Sequence, residues 1–266
     1  IGRGTARVAF DKLIDIAPGE SLYRVTAEGR ATSGGSTIRR RVGRLAWVAD
    51  PPRLPATLVA WGGTAGTGPS GSVSGFDAGS GCPGTPASIA GLASLAAGPP
   101  PFPSLALAGS PPTLVWPPGT SLAAETGIRW TELLAPYGPR SDATVPPDPW
   151  PGPGAGGGWP FIRLAGPATI GGGRSGRGTL VVDGDLTIGA GFSWTGLVLV
   201  GGALSFRGAA TIRGGALAGL AGAAAPALDL GSAALDLRYD ACAVARAAGR
   251  ITAPAAGLPG TWFEAW

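Results

Sequence analysis

The sequence contains no histidine and no methionine. Asparagine and glutamine are also missing, and Lys12 is the only lysine. Because histidine is the usual general base at neutral pH and the commonest metal ligand, its absence excludes a Ser-His-Asp triad and any histidine-based metal site. Without asparagine, the chain has no acceptor for N-glycosylation. We interpret the bias as that of a genome with very high GC content.

Other signatures of catalysis are missing as well. The sequence has no Gly-Lys pair, hence no P-loop, and it has neither a G-x-S-x-G elbow nor a metal-binding cysteine spacing. Residues 152–157 match G-x-G-x-x-G, but they lie among prolines, with no strand before them and no helix after them. We therefore reject a dinucleotide site there. The sequence predicts a protein that is not an enzyme and has no cofactor and no metal site.

Glycine and proline dominate what is present, with 48 and 27 residues among 266. Full disorder is not indicated, because 44% of the residues are hydrophobic and only 14% are charged. Long helices are unfavourable in such a chain, since each internal glycine costs about 1 kcal/mol and each proline about 3 kcal/mol. The composition predicts a mainly β fold of short strands joined by tight turns, in one or two domains.

Two cysteines, Cys82 and Cys242, lie far apart in the sequence. They form either one disulfide, which would fit an oxidising compartment, or two separate buried thiols. No stretch of the sequence reaches the roughly 18 apolar residues that a membrane-spanning helix needs.

The first 82 residues predict an N-terminal unit built around a β-hairpin. Residues 22–30 and 38–48 read as two strands, and the Ser-Gly-Gly-Ser turn at 33–36 joins them. The apolar pattern of residues 1–20 fits either a short helix or a strand.

Residues 83–160 change in texture to Pro-rich and Gly-rich segments. They predict a partly irregular insertion with one candidate helix over residues 120–137. Partial order is favoured because tryptophans in this region would be costly to leave in water.

Residues 161–266 predict a short β-solenoid with a C-terminal cap. Leu186 to Leu204 and Leu199 to Leu217 are steps of 18, and Val181 to Val198 is a step of 17. Short β runs broken by glycine at this period are typical of stacked solenoid coils. An antiparallel meander is the alternative.

Asp183 and Asp185 flank Gly184 in an expected turn. Paired carboxylates can bind Ca²⁺ or act as a glycosidase dyad. Turn carboxylates usually form local hydrogen bonds instead, and we favour that interpretation.

A basic cluster and a terminal aromatic cluster are the candidate partner contacts. The net charge of +4 is matched by four arginines of the second hairpin strand, and the chain ends in three large aromatics. The arginines form either a binding surface or a solvated strand edge, and the aromatics either cap the solenoid or contact a partner. Nucleic-acid binding is not indicated, because aromatics do not alternate with the arginines. The candidate residues are Arg39, Arg40, Arg41, Arg44, Trp262, Phe263 and Trp266.

The ordered series of motifs resembles the PilX-type pilus-assembly proteins, which are minor-pilin-like components of type IV pilus systems. The matching segments are residues 23–30 (YRVTAEGR) with the basic strand after them, 55–58 (PATL), 71–77 (GSVSGFD), 178–188 (GTLVVDGDLTI) and 196–200 (GLVLV). The resemblance implies an exported protein with a membrane helix upstream, a pilin-like hairpin and a small β-solenoid. The family's N-terminal apolar helix is not in this sequence, and the resemblance brings no catalytic residues.

These observations predict an extracytoplasmic, membrane-associated structural or assembly protein, in the periplasm or at the cell surface. Its expected partners are other subunits of a pilus or membrane complex, with contact to the membrane surface as a further expectation. One alternative is an accessory scaffold subunit of a membrane complex. Another is a carbohydrate-binding solenoid that uses Asp183 and Asp185.

Overall fold

The structure, a computed structural model, describes residues 4–17, 20–33, 36–49, 52–79, 82, 85–95, 102–135, 158–222, 226–251 and 263–264. These residues form a mainly β fold, as predicted, and three short helices. The chain divides into two compact units, residues 1–50 with 252–266, and residues 51–251.

The strands are β1 (Gly4–Ala17), β2 (Glu20–Ser33), β3 (Ser36–Ala49), β4 (Ala56–Ala60), β5 (Thr64–Ala65), β6 (Ser70–Ser74), β7 (Ala90–Leu95), β8 (Leu105–Ala108), β9 (Thr113–Trp116), β10 (Phe161–Leu164), β11 (Ala168–Ile170), β12 (Ser175–Val182), β13 (Leu186–Ile188), β14 (Phe192–Val200), β15 (Leu204–Phe206), β16 (Ala210–Ala218), β17 (Leu228–Asp229), β18 (Ala234–Arg238) and β19 (Phe263–Glu264). The helices are α1 (Leu122–Thr126), α2 (Trp130–Leu134) and α3 (Ala241–Ile251).

The N-terminal unit is an antiparallel sheet with the strand order β1-β2-β3-β19. The predicted hairpin is confirmed: Ser33 pairs with Ser36, so two residues separate the ends of β2 and β3. The first segment, which fitted a helix or a strand, is the strand β1, and it pairs with β2 along its length. A bulge after Lys12 shifts the register, which explains why the apolar spacing of the segment also fitted a helix.

The C-terminal strands of the second unit are parallel and pair at a constant interval. Thr179 pairs with Leu197, and Leu186 pairs with Leu204, each 18 residues further on. The antiparallel meander is therefore excluded for β10 to β18. The expected step of 17 was wrong, because Val181 pairs with Leu199 and not with Val198.

The strands of residues 56–116 extend the same two sheets. β4 pairs with β16, β5 with β17 and β6 with β18, all parallel, and β7, β8 and β9 continue outward from them. The expected boundaries at residues 82 and 160 therefore do not separate compact units. The physical reason is hydrogen bonding between strands that lie more than 150 residues apart in the sequence.

A column of glycines crosses the long parallel strands. Gly178 pairs with Gly196, and Gly196 pairs with Gly214. Gly196 and Gly214 have φ values of +127° and +133°, which side-chain-bearing residues rarely adopt. A Cβ on either would fall far inside van der Waals contact with the carbonyl oxygen of the preceding glycine in the column. Glycine is required there for both conformation and close stacking.

The expected helix over residues 120–137 is two short helices. α1 ends where Gly127 adopts a left-handed conformation with φ of 70°, and α2 begins three residues later. The hydroxyl of Ser121 accepts a hydrogen bond from the amide of Ala124 and caps the start of α1. None of the helices in the described part of the chain is long and apolar enough to cross a membrane.

Two hydrophobic clusters hold the second unit together. One contains inward side chains of the parallel strands, including Leu186, Trp194 and Phe206, all at most 1% exposed. The other lies on the outer side of the long strands, where Leu197 and Leu199 pack with Val244 and neighbouring residues of α3. Both sides of β14 are therefore covered, which explains its nearly uninterrupted run of apolar residues.

Candidate interaction surface

The N-terminal sheet presents two chemically different faces. Directly opposed residues of adjacent strands point to the same face, and alternate residues along each strand point to opposite faces. The register therefore places one set of arginines together, here called the basic face: Arg7, Arg24, Arg30, Arg39 and Arg41. The other side, here called the apolar face, carries Ala6, Val8, Phe10, Val25, Ala27, Ile38 and Val42.

On the basic face, positive charges outnumber negative ones. Arg24 contacts Asp11 at 3.0 Å, and Arg30 contacts Glu28 at 2.7 Å. Arg39 stands directly opposite Arg30, and Arg41 stands opposite Glu28. Five arginines therefore face two carboxylates among the described side chains of this face.

The pKa of Glu28 reports the same field. It is lowered below its ordinary value, first by the hydrogen bond from Arg30 and then by the charges of Arg30, Arg39 and Arg41. Since like charges directly opposite each other on a sheet are unfavourable, an anion placed over Arg30 and Arg39 would be attracted.

The apolar face remains largely open to solvent. The exposed fractions are 52% for Val8, 67% for Phe10 and 70% for Ile38. Val25 and Val42, in the central strands, are half-buried. Arg40 and Arg44 also point to this face. The predicted arginine cluster is thus divided by the alternation of the strand, with Arg39 and Arg41 on one side and the other two opposite.

The C-terminal aromatics have different outcomes. The backbone of Phe263 pairs with Gly43, and β19 extends the sheet beside the arginine strand β3. The expectation that this segment caps the end of a solenoid was therefore wrong for residues 263–264, which belong to the N-terminal unit. Trp262 and Trp266 lie outside the described residues.

Cys82 and Cys242 form a disulfide, with their Cα atoms 5.1 Å apart. Of the two alternatives that the sequence left open, the bond is the one found. It ties the loop after β6 to the first turn of α3.

Two carboxylates hold the start of α3 beside this bond. Asp77 accepts hydrogen bonds from the amides of Gly79 and Ala241, and Asp240 accepts one from the amide of Ala243. Burial, together with the charges of Asp77 and Asp240, raises the pKa of Tyr239 to about 12. These contacts are a local capping arrangement and give no sign of a catalytic pair.

Asp183 and Asp185 do not converge on a common site. Asp183 contacts Arg163 at 3.4 Å, whereas Asp185 accepts a 2.7 Å hydrogen bond from the amide of Ala203 in the next parallel segment. Both carboxylates thus serve contacts between neighbouring segments, as the favoured interpretation predicted. Within the described ranges, no three acidic or cysteine side chains come together as a metal site would require.

Comparison with protein-family models, with curated proteins and with solved structures found no significant match for this chain. Inference about the protein therefore starts from its own residues and geometry.

Sequence reasoning identified the arginine strand but missed the separation of the sheet into two faces. The signal was present in the alternation of Arg39, Val42 and Arg44 with their neighbours. It became decisive only when the register of β1 and β2 placed Arg7, Arg24 and Arg30 on the same side as Arg39 and Arg41.

Proposed function

We propose that the chain is an extracytoplasmic structural subunit, related to type IV pilus components, whose basic face binds an acidic surface of a partner protein. The single observation that carries the binding role is Arg39 directly opposite Arg30, with Arg41 beside them on an exposed sheet. Guanidinium groups form paired hydrogen bonds with carboxylates, so a partner rich in Asp and Glu fits this face.

The body of the molecule is proposed to be a β-solenoid. Its support is the constant 18-residue interval between parallel partners and the column of glycines at one position of successive strands. In this proposal, each coil contributes a segment to both large sheets, and the coils of residues 56–116 follow those of residues 161–238. Such a body is a rigid support for protein contacts and needs no catalytic site.

The location outside the cytoplasm is proposed from the disulfide. Disulfides persist in oxidising compartments and are rare in reducing ones. Cys82 and Cys242 are the only cysteines of the chain, and both are used in the bond. Membrane association and the link to pili remain proposals that come from the resemblance.

The test is isolation of the native protein from membrane and sheared surface fractions, with mass spectrometry of the proteins that accompany it. Wild type is compared with a double variant of the basic face, Arg39→Glu with Arg41→Glu. The matched control is Arg213→Glu with Arg238→Glu, because these two exposed arginines are also neighbours in register but lie in the second unit. Both double variants have the same net charge.

We expect the basic-face variant to lose its partners at physiological salt, and the control to keep them. Copurified pilins in a filament fraction would support the pilus relationship, whereas an integral membrane complex would indicate an accessory scaffold subunit. Equal partner loss in both variants, or retention confined to vesicles of anionic lipid without protein, would contradict a protein-binding basic face.

The carbohydrate alternative has its own test. Asp183→Ala with Asp185→Ala would abolish glycan binding if these residues formed a sugar site. We expect no glycan binding by the wild type, because both carboxylates contact neighbouring protein segments.

A further inference from the structure

The outer edge of β1 has an unusual character for an edge strand. β1 is terminal in the sheet order and has 14 residues, and no described strand pairs with its outer side. Its side chains from Thr5 to Asp15 are all exposed. Edge strands are commonly short or protected by bulges and charges, because their open N–H and C=O groups can pair with another chain.

The part of β1 before the bulge lacks most of this protection. Ala6, Val8 and Phe10 lie on the apolar face, and Lys12, the next residue of that face, forms an ion pair with Asp15. Phe10 is 67% exposed and Val8 is 52% exposed, although the same face continues inward to half-buried Val25 and Val42. A strand added at this edge would extend the apolar face and cover these two side chains.

The charges of β1 identify the added strand as a second copy of β1. In an antiparallel pair related by a twofold axis, opposed residues must both direct their N–H and C=O groups toward the partner or both away. The axis therefore passes through a residue. An axis through Ala9 places Arg7 opposite Asp11 of the other copy, twice, and Val8 opposite Phe10, twice.

Neighbouring axes are poorer. An axis through Phe10 places Arg7 opposite Leu13, and an axis through Asp11 places two carboxylates opposite each other. Only the axis through Ala9 matches opposite charges on one face and large apolar side chains on the other.

We propose that two copies of this protein pair through antiparallel β1 strands about a twofold axis at Ala9. The pairing forms one continuous sheet from the two N-terminal units, with Val8 and Phe10 of both copies in contact on the apolar face. This inference does not depend on the proposed function, because it involves another edge of the sheet and a different partner.

Register is tested directly by cysteine substitution. Ala9→Cys brings two thiols together on the axis, within the Cα separation of about 4.5–5.5 Å that a disulfide spans. Thr5→Cys is the matched control, since its two copies would be eight strand positions apart, about 27 Å. Both sites are exposed, and the natural cysteines are already paired with each other. We expect mild oxidation to convert Ala9→Cys, and not Thr5→Cys, into a covalent dimer.

The noncovalent dimer is tested by sedimentation, with a monomer mass of 26.1 kDa as reference. Phe10→Lys should weaken self-association at least tenfold by placing a charge in the apolar contact. Ile38→Lys should leave it unchanged, because Ile38 is equally exposed on the same face but lies on β3. Circular dichroism confirms that both variants are folded.

A charge exchange adds an independent test. Arg7→Asp alone and Asp11→Arg alone should each weaken the dimer, and the double exchange should restore it. Within one chain the exchange places like charges opposite Glu28 and Arg24, so restoration can arise only between chains. A monomeric wild type, equal crosslinking of both cysteine variants, or equal effects of Phe10→Lys and Ile38→Lys would overturn the proposal.

Discussion

The hydroxyl of Thr179 donates a 2.9 Å hydrogen bond to the carbonyl oxygen of Ala247. Thr179 lies in β12 and Ala247 in α3, and both residues are fully buried. This bond fixes the helix against the outer side of the parallel strands, within the second hydrophobic cluster.

Removal of that hydroxyl should destabilise the second unit without changing its packing volume. Thr179→Val keeps the shape of the side chain and loses the donor, so we expect the free energy of unfolding to fall by about 1–2 kcal/mol. Thr179→Ser keeps the hydroxyl and removes only a methyl group, and it serves as the control. Urea denaturation monitored by tryptophan fluorescence measures both. Equal losses in the two variants would assign the effect to the methyl group.

Loss of the disulfide should have a larger effect. The bond closes a loop between positions 160 residues apart, for which the chain-entropy relation gives about 5 kcal/mol. We expect Cys82→Ser, Cys242→Ser and the double variant to lose similar amounts of unfolding free energy, since any of the three removes the same bond. Denaturation of oxidised and reduced wild type provides the reference. A double variant much less stable than either single variant would contradict this account.

Tyr239 should make the stability depend on pH in the alkaline range. Its pKa is about 12 in the folded protein, compared with about 10 in the unfolded chain. The protonated phenol is thus favoured by folding. The stabilisation is fully present below pH 10 and decreases as the pH rises toward 12, by up to about 3 kcal/mol. Tyr239→Phe should flatten this decrease and remove the last phenol to ionise in an absorbance titration. An unchanged titration curve would show that another tyrosine ionises last.

The glycine column gives the fourth prediction. Gly196→Ala combines a φ of +127° with a Cβ pressed against the carbonyl oxygen of Gly178, so we expect a loss of about 3 kcal/mol or more. Gly171→Ala is the matched control in the same unit, because its added Cβ meets nothing within 4 Å. Thermal denaturation compares the two. Similar melting temperatures for both variants would show that the strands relax around the added methyl group.

The local features of this fold could be predicted from sequence because they depend on nearby residues. The Ser-Gly-Gly-Ser turn determined the hairpin of β2 and β3, and the step from Leu186 to Leu204 gave the register of β13 and β15. The helix over residues 120–137 was overextended because its apolar spacing concealed the left-handed stop at Gly127.

Other features depend on contacts that no short pattern encodes. Residues 56–116 were separated from the C-terminal strands because no periodicity connects Leu58 with Ala216, its partner in β16. For the same reason, the two faces of the N-terminal sheet became clear only when the register of all three long strands was known.

The pairing of β4 with β16 and of β6 with β18 also constrains the order in which the chain can acquire its structure. Residues 56–74 emerge first from the ribosome, yet their hydrogen-bonding partners lie beyond residue 210. These segments must therefore remain unpaired while more than a hundred further residues are made, and the link between Cys82 and Cys242 can close only afterwards. Folding that depends on such distant contacts is intrinsically slow. A chain that completes its structure so late stays extended long enough to pass through a narrow export channel before it folds.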